Sequence, residues 1–84
     1  MRIYMQAAVD SNMPMRFCQL ILQQDMLGGW TLIKERGTQG AKGRLQREHH
    51  ESYADAESAL MRARDSLVDK GYRVVFMRGE ARSS

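Results

Sequence analysis

Apolar and polar residues alternate along most of this chain, in several short segments with a period of two and in one longer segment with a helical period. Arg2 to Ala8 has the period of two, which predicts a strand, and its weak contrast favours the edge of a sheet. Residues 10–14 contain Asp, Ser, Asn and the only proline, so they predict a turn. Met15 to Gln23 is apolar at most of its central positions, which predicts a central strand covered on both faces.

Three further segments complete the predicted sheet. The Gly28-Gly29 pair predicts a tight hairpin with positive φ angles, followed by a third strand from Trp30 to Arg36. The fourth predicted strand, Gly43 to Glu51, is so polar that neither of its faces is expected to be deeply buried. The last strand is predicted from Tyr72 to Met77.

The segment after residue 51 has the features of an amphipathic helix. Ser52 is a suitable N-cap, and Asp55 follows three residues later as in a capping box. Gly71 suits the position just past the helix end at Lys70. The apolar positions recur at intervals of three and four, at Tyr53, Ala56, Leu60, Ala63 and Leu67.

The order β-β-β-β-α-β predicts the α+β class: a small antiparallel β-sheet with one amphipathic helix packed across it. A chain of 84 residues has room for one modest core. We therefore predict a single domain over residues 1–78 and a flexible C-terminal tail over 79–84.

The positive charge of the chain is concentrated in one segment. The formal net charge is +3, and the whole excess lies in residues 34–50, where only Glu35 and Glu48 oppose the cations. Such a localised basic segment attracts polyanions, although a solvated hairpin rim without any partner explains it equally well. The candidate nucleic-acid-binding residues are Lys34, Arg36, Lys42, Arg44 and Arg47.

Several catalytic and cofactor-binding classes lack the residues that they need. The glycine-rich stretch 34–44 has no GK[ST] and precedes a predicted strand, so it is not a nucleotide-binding P-loop. His49 and His50 are neighbours on a strand and point to opposite faces, which makes a metal site improbable. Cys18 is the only cysteine and lies in an apolar strand, where a reactive thiolate is disfavoured. We predict no enzyme activity, metal or cofactor.

The same sequence gives expectations about location and about the larger aromatic residues. No apolar run approaches the roughly 20 residues that span a bilayer, and the N-terminus is a poor signal peptide. Together with the lone thiol of Cys18, this favours the cytoplasm. Trp30 and Tyr72 are expected in the core and not as exposed stacking groups.

Several blocks of the chain, in order, resemble the WGR domain of poly(ADP-ribose) polymerases and of short stand-alone bacterial proteins. The similarity covers residues 2–78 and rests on RFCQLILQ at 16–23, GGWTLIKERG at 28–37, two further hairpin glycines and the helical segment. The Trp-Gly-Arg motif of that family falls at Arg36, Gly37 and Thr38, so only its glycine remains. The resemblance implies a small antiparallel sheet with one helix, DNA binding, and no ADP-ribosyl transfer because a catalytic domain is absent from this stretch.

The resulting hypothesis is a non-enzymatic WGR-like module that binds DNA, or nucleic acid more loosely, through the basic glycine-rich hairpin. The alternative is a protein–protein interaction module or a homo-oligomerising domain that binds no nucleic acid. Neither hypothesis predicts a membrane or a small-molecule substrate as partner.

Overall fold

A computed structural model of the chain describes residues 1–7 and 14–79. These residues form a small α+β fold, a five-stranded antiparallel sheet with one helix across it, which confirms the predicted class. The elements are β1 (Arg2–Ala7), β2 (Arg16–Gln24), β3 (Trp30–Thr38), β4 (Arg44–His50), α1 (Tyr53–Asp69) and β5 (Arg73–Arg78). Residues 10–13 of the predicted turn and 80–84 of the predicted tail lie outside the described residues.

The strands lie in the order β4-β3-β2-β1-β5. The first four form an antiparallel meander, and β5 returns after the helix to pair with the outer edge of β1. β1 is therefore an interior strand, and its prediction as an edge strand was wrong. The error has a physical cause: whether a strand has one neighbour or two depends here on distant β5, which local periodicity does not encode.

The core lies on one face of the sheet, which we call the helix face because α1 packs there against β2, β3 and β4. β2 is central, as predicted, but it is covered on this face alone. Phe17 and Ile21 point to the opposite side, the open face, and are partly exposed. The prediction of cover on both faces was wrong because α1 packs on the helix face, which leaves Phe17 and Ile21 partly exposed on the other side. The buried side chains include Ile3, Met5, Cys18, Leu20, Leu22, Leu32, Ala56, Leu60 and Leu67.

The helix begins and ends where the sequence predicts. The Asp55 N–H donates to Ser52 Oγ over 3.1 Å, which satisfies one of the free N–H groups of the first turn. At the other end Lys70 is the C-cap, its N–H bonds to the Leu67 carbonyl, and Gly71 follows with a φ of 99°. α1 is thereby fixed with Leu60 and Leu67 toward the sheet.

The two glycines of the β2–β3 turn have different roles. Gly28 has a φ of 87°, as predicted, whereas Gly29 does not have a positive φ, so the prediction for Gly29 was wrong. Gly29 is buried, and a Cβ there would lie 2.5 Å from both the His50 carbonyl oxygen and His49 Cε1. It is the close approach of β4, not the backbone conformation, that leaves no room for a side chain at Gly29.

Candidate nucleic-acid interface

The basic hairpin consists of β3, β4 and a tight turn at residues 38–41. The Ala41 N–H donates to the Thr38 carbonyl over 3.1 Å, and Gly40 has a φ of 86°, as the third residue of a type II turn requires. Gly37 and Gly43 face each other across the hairpin, where a Cβ on Gly37 would lie 3.0 Å from the Cα of Gly43. The three glycines thus serve the turn and the close approach of its two strands.

The five candidate cations do not share one surface. Lys34, Arg36 and Arg44 point to the helix face, because Lys34 and Arg36 alternate with the open-face residues of β3 and Arg44 is paired with Arg36. Arg47 is paired with Ile33 on the open face. Lys42 is exposed in the short segment between the turn and β4. The structure therefore brings three of the predicted residues together, with Lys42 beside them and Arg47 on the opposite side.

Arg36 and Arg44 form a pair of adjacent positive charges at the turn end of the hairpin. They are directly opposed on β3 and β4, both are exposed, and neither has an ion-pair partner within residues 1–7 and 14–79. Like charges opposed in this way destabilise a strand pair by up to roughly 1 kcal/mol, and an anion between them removes that repulsion. Lys34 is less available, because its Nζ lies 3.7 Å from Glu48 Oε1.

A cleft of about 100 Å³ lies between this end of β3 and the last turns of α1. Its lining residues are Cys18, Leu20, Lys34, Arg36, Ala63, Ser66, Leu67 and Lys70. The carbonyl end of a helix carries partial negative charge, which attracts cations and repels a phosphate by roughly 0.3–1 kcal/mol. Phosphate contacts are therefore expected at the exposed side chains of Arg36 and Arg44 and not beside the helix end.

Cys18 forms part of the floor of this cleft but is 3% exposed. Burial raises the pKa of its thiol, an effect that the nearby Arg36 and Lys34 charges only partly oppose. Cys18 is a protonated core residue at neutral pH, as the sequence predicts.

The expected positions of the aromatics are confirmed as well: Trp30 packs edge-to-face on Tyr53 at 4.9 Å, and Trp30 and Tyr72 both lie against the core.

Sequence reasoning missed a polar cluster around Asp25. Its Oδ1 accepts hydrogen bonds from the Leu27 and Gly29 N–H groups, both at 3.0 Å, and its Oδ2 accepts one from Thr31 Oγ1 at 3.1 Å. His49 Nδ1 lies 2.7 Å from the same Oδ2, while His50 points to the other face as predicted. The available signal was an aspartate opening a turn that ends in two glycines, a common side-chain-to-backbone turn. The cluster ties β2, β3 and β4 together at one corner.

The Asp25 cluster makes a pH-dependent contribution to stability. The hydrogen bond from the Gly29 N–H has the largest effect on Asp25 and lowers its pKa below the ordinary value of 3.8. The hydrogen bonds with His49, Leu27 and Thr31 lower this pKa further. A lowered folded-state pKa stabilises the fold above the ordinary pKa, and this contribution is lost as the pH falls through the folded-state value. We expect Asp25→Asn to lower the melting temperature near neutral pH, because the new amide nitrogen donates where Oδ2 accepted.

The measurement is thermal unfolding by circular dichroism at several pH values between about 7 and 3. The difference in melting temperature between the original chain and Asp25→Asn should shrink below about pH 4. Asp65→Asn is the control, since Asp65 is exposed and its side-chain hydrogen bonds among the described residues come from the adjacent Arg64. Parallel curves for the original chain and Asp25→Asn would contradict the assignment.

Comparison of the chain with models of protein families, with curated proteins and with solved structures found no match. Within the described ranges, no helix is both long enough and apolar enough to cross a bilayer. The same ranges contain no group of three or more His, Cys, Asp or Glu residues that is suited to hold a metal ion.

Proposed function

We propose that this protein is a non-enzymatic, WGR-like module that binds DNA, or nucleic acid more loosely, through its basic hairpin. The observation that carries the proposal is the direct opposition of Arg36 and Arg44, which have no ion-pair partner among the described residues, with Lys42 two positions before Arg44. Guanidinium groups bind phosphate bidentately, so two adjacent ones hold a phosphate backbone in a fixed position. These contacts carry little sequence information, so we propose weakly sequence-specific binding.

The resemblance to the WGR domain supports the proposal through the position of these residues. Arg36 and Thr38 stand where the family has its tryptophan and arginine, at the end of β3. Thr38 supplies no cation, but Arg44 on the neighbouring strand lies opposite Arg36 and supplies one. We propose that Arg44 replaces the missing motif arginine, and that the chain is a bacterial WGR-like domain acting in the cytoplasm.

The experiment compares the Arg36→Ala, Arg44→Ala double variant with the original chain. Fluorescence anisotropy is measured with labelled duplexes that have blunt or recessed ends, at several salt concentrations. We expect the double variant to bind roughly tenfold or more weakly at low salt. The slope of log affinity against log salt should fall by about 2, one unit for each lost phosphate contact.

The matched control removes the same formal charge from the helix, as Arg62→Ala, Arg64→Ala. This variant should keep the salt slope, since neither residue lies on the hairpin. Equal losses in the two double variants would show attraction to net charge alone and would overturn the proposal. Absence of duplex binding by the original chain would overturn it as well.

A protein-interaction or homo-oligomerising role is the second candidate, and strand β5 favours it. β5 is an edge strand whose four apolar side chains, Val74 to Met77, are 41–51% exposed. Exposed apolar edges are templates for pairing with another chain. A light-scattering mass measurement tests self-association, and a pull-down after nuclease treatment separates a protein partner from one bridged by nucleic acid.

A further inference from the structure

We propose that the open face of the sheet is a second binding surface, which takes single-stranded nucleic acid by stacking bases on aromatic side chains. The aromatic residues are Tyr4, Phe17 and Phe76, on three neighbouring strands. The surface lies on the opposite side of the sheet from Arg36 and Arg44. Single-strand binding on the open face can therefore be tested independently of duplex binding by the hairpin.

The three aromatic residues, which we call the aromatic strip, lie on the same face of three neighbouring strands, β5, β1 and β2. Tyr4 and Phe76 are paired across β1 and β5, so their side chains are neighbours on one face. The Tyr4 and Phe17 rings are stacked, with centroids 6.1 Å apart and planes at 20°. Phe17 extends over Gly37 of β3, where its Cε1 lies 3.4 Å from the position of a Cβ. Phe76 is 48% exposed, and Tyr4 and Phe17 are partly exposed, so the strip is open to a ligand.

A bulge in β5 places both arginines of this strand on the open face. The pairing of β1 with β5 shifts between Tyr4 and Met5, which leaves Val75 without a partner. Arg73 and Arg78 are five positions apart and would point to opposite faces of a regular strand. Because the bulge adds one residue between them, Arg73 pairs with Gln6 and Arg78 with Arg2, and both point to the open face.

Arginines surround the aromatic strip with little opposing charge. Arg2 and Arg78 are paired at one end, Arg73 lies at the other, and Arg47 lies across the sheet on β4. All four are exposed, and none has an ion-pair partner in the described part of the chain. Among the described strand residues of this face, Glu35 is the one carboxylate, and Gln19 Nε2 donates to it over 3.2 Å. The open face is therefore cationic around an aromatic centre.

This combination matches the chemistry of a single strand better than that of a duplex or a second copy of the chain. Duplex bases are stacked on each other and do not reach a flat aromatic strip, whereas unpaired bases do. A second copy docked on the same face would bring two sets of four unpaired arginines together, which like-charge repulsion opposes. A phosphate backbone supplies the opposite charge along its whole length.

The test uses a labelled thymidine oligonucleotide of about 12 nucleotides, within the size range of known single-strand surfaces. We expect Phe76→Ala to weaken its binding by roughly fivefold to a hundredfold, as measured by anisotropy. Phe76→Tyr keeps the aromatic face and should keep the affinity to within about twofold. The matched control is Met77→Ala, on the same strand and 50% exposed but on the helix face, and it should change the affinity by less than about twofold.

The same variants are measured with the blunt duplex, and Arg36→Ala, Arg44→Ala is measured with the oligonucleotide. We expect Phe76→Ala to leave duplex affinity unchanged and the arginine variant to leave most single-strand affinity intact. Equal effects of Phe76→Ala and Met77→Ala, or no oligonucleotide binding by the original chain, would overturn the proposal. So would a scattering mass of a dimer that Phe76→Ala alone converts to monomer, since the face would then be a protein interface.

Discussion

Leu60→Ala is expected to lower the free energy of unfolding by about 2–5 kcal/mol, the largest effect that we predict for a single substitution. Leu60 is fully buried in the middle of α1 and faces the core on β2 and β3. The truncation removes apolar contacts and leaves a cavity that the rigid sheet refills only in part. Because a small domain has only about 5–15 kcal/mol of total stability, the variant should be near the limit of folding. Urea unfolding followed by circular dichroism measures the difference.

The control for Leu60 is Val68→Ala in the same helix. Val68 is 48% exposed, so its truncation should change stability by less than about 0.5 kcal/mol. Losses of similar size in the two variants would show that α1 contributes through helix propensity and not through packing on the sheet.

Gly29→Ala is expected to destabilise the fold by about 1–3 kcal/mol, as overpacking does in a rigid interior. The new Cβ would lie 2.5 Å from the His50 carbonyl oxygen, an atom of the β4 backbone that does not move unless the strand moves. The end of β4 should therefore shift away from β3. Urea unfolding measures the loss, and amide NMR shifts locate it at His49 and His50.

Gly28→Ala separates this steric effect from a conformational one. Gly28 has a φ of 87°. Apart from its two chain neighbours, no described residue has a heavy atom within 4 Å of the position that a Cβ would take, so the left-handed backbone is what opposes the substitution. That cost is about 1–2 kcal/mol, and it should leave the β4 amide shifts unchanged. Shifts at β4 that are equal in the two variants would contradict the role assigned to Gly29.

The sequence was sufficient to predict the elements and their class, because each is specified locally. Ser52 and Gly71 mark the ends of α1, alternation marks the strands, and the polarity of residues 44–50 correctly indicates an exposed β4. The order of the strands in the sheet was harder to predict from the sequence. The pairing of β5 with β1 joins segments that are far apart in the chain, so neither segment alone indicates that Arg2–Ala7 lies inside the sheet.

The candidate site was predictable in composition but not in arrangement. Charge counting identified the five cations. Their division between two faces, however, depends on the register of β3 and β4, because a shift of the pairing by one residue moves every side chain of a strand to the opposite face. The grouping of arginines and aromatic residues on the open face was not predicted, for a related reason. Val75 interrupts the alternation of β5, so the shared facing of Arg73, Phe76 and Arg78 follows only from the observed register.

The position of β5 also has a consequence for the dynamics of the molecule. β5 packs mainly against β1, and its side chains are all exposed. The two strands lie near opposite ends of the chain, so their pairing closes a loop that contains most of the described chain. Local opening of this one strand therefore costs less than global unfolding, and it removes Arg73, Phe76 and Arg78 from the open face together. A ligand that bridges β5 and β2 would bind only the closed population and would hold the strand in place. For the single-stranded ligand that we propose, the docking equilibrium of this edge strand would set the fraction of molecules competent to bind.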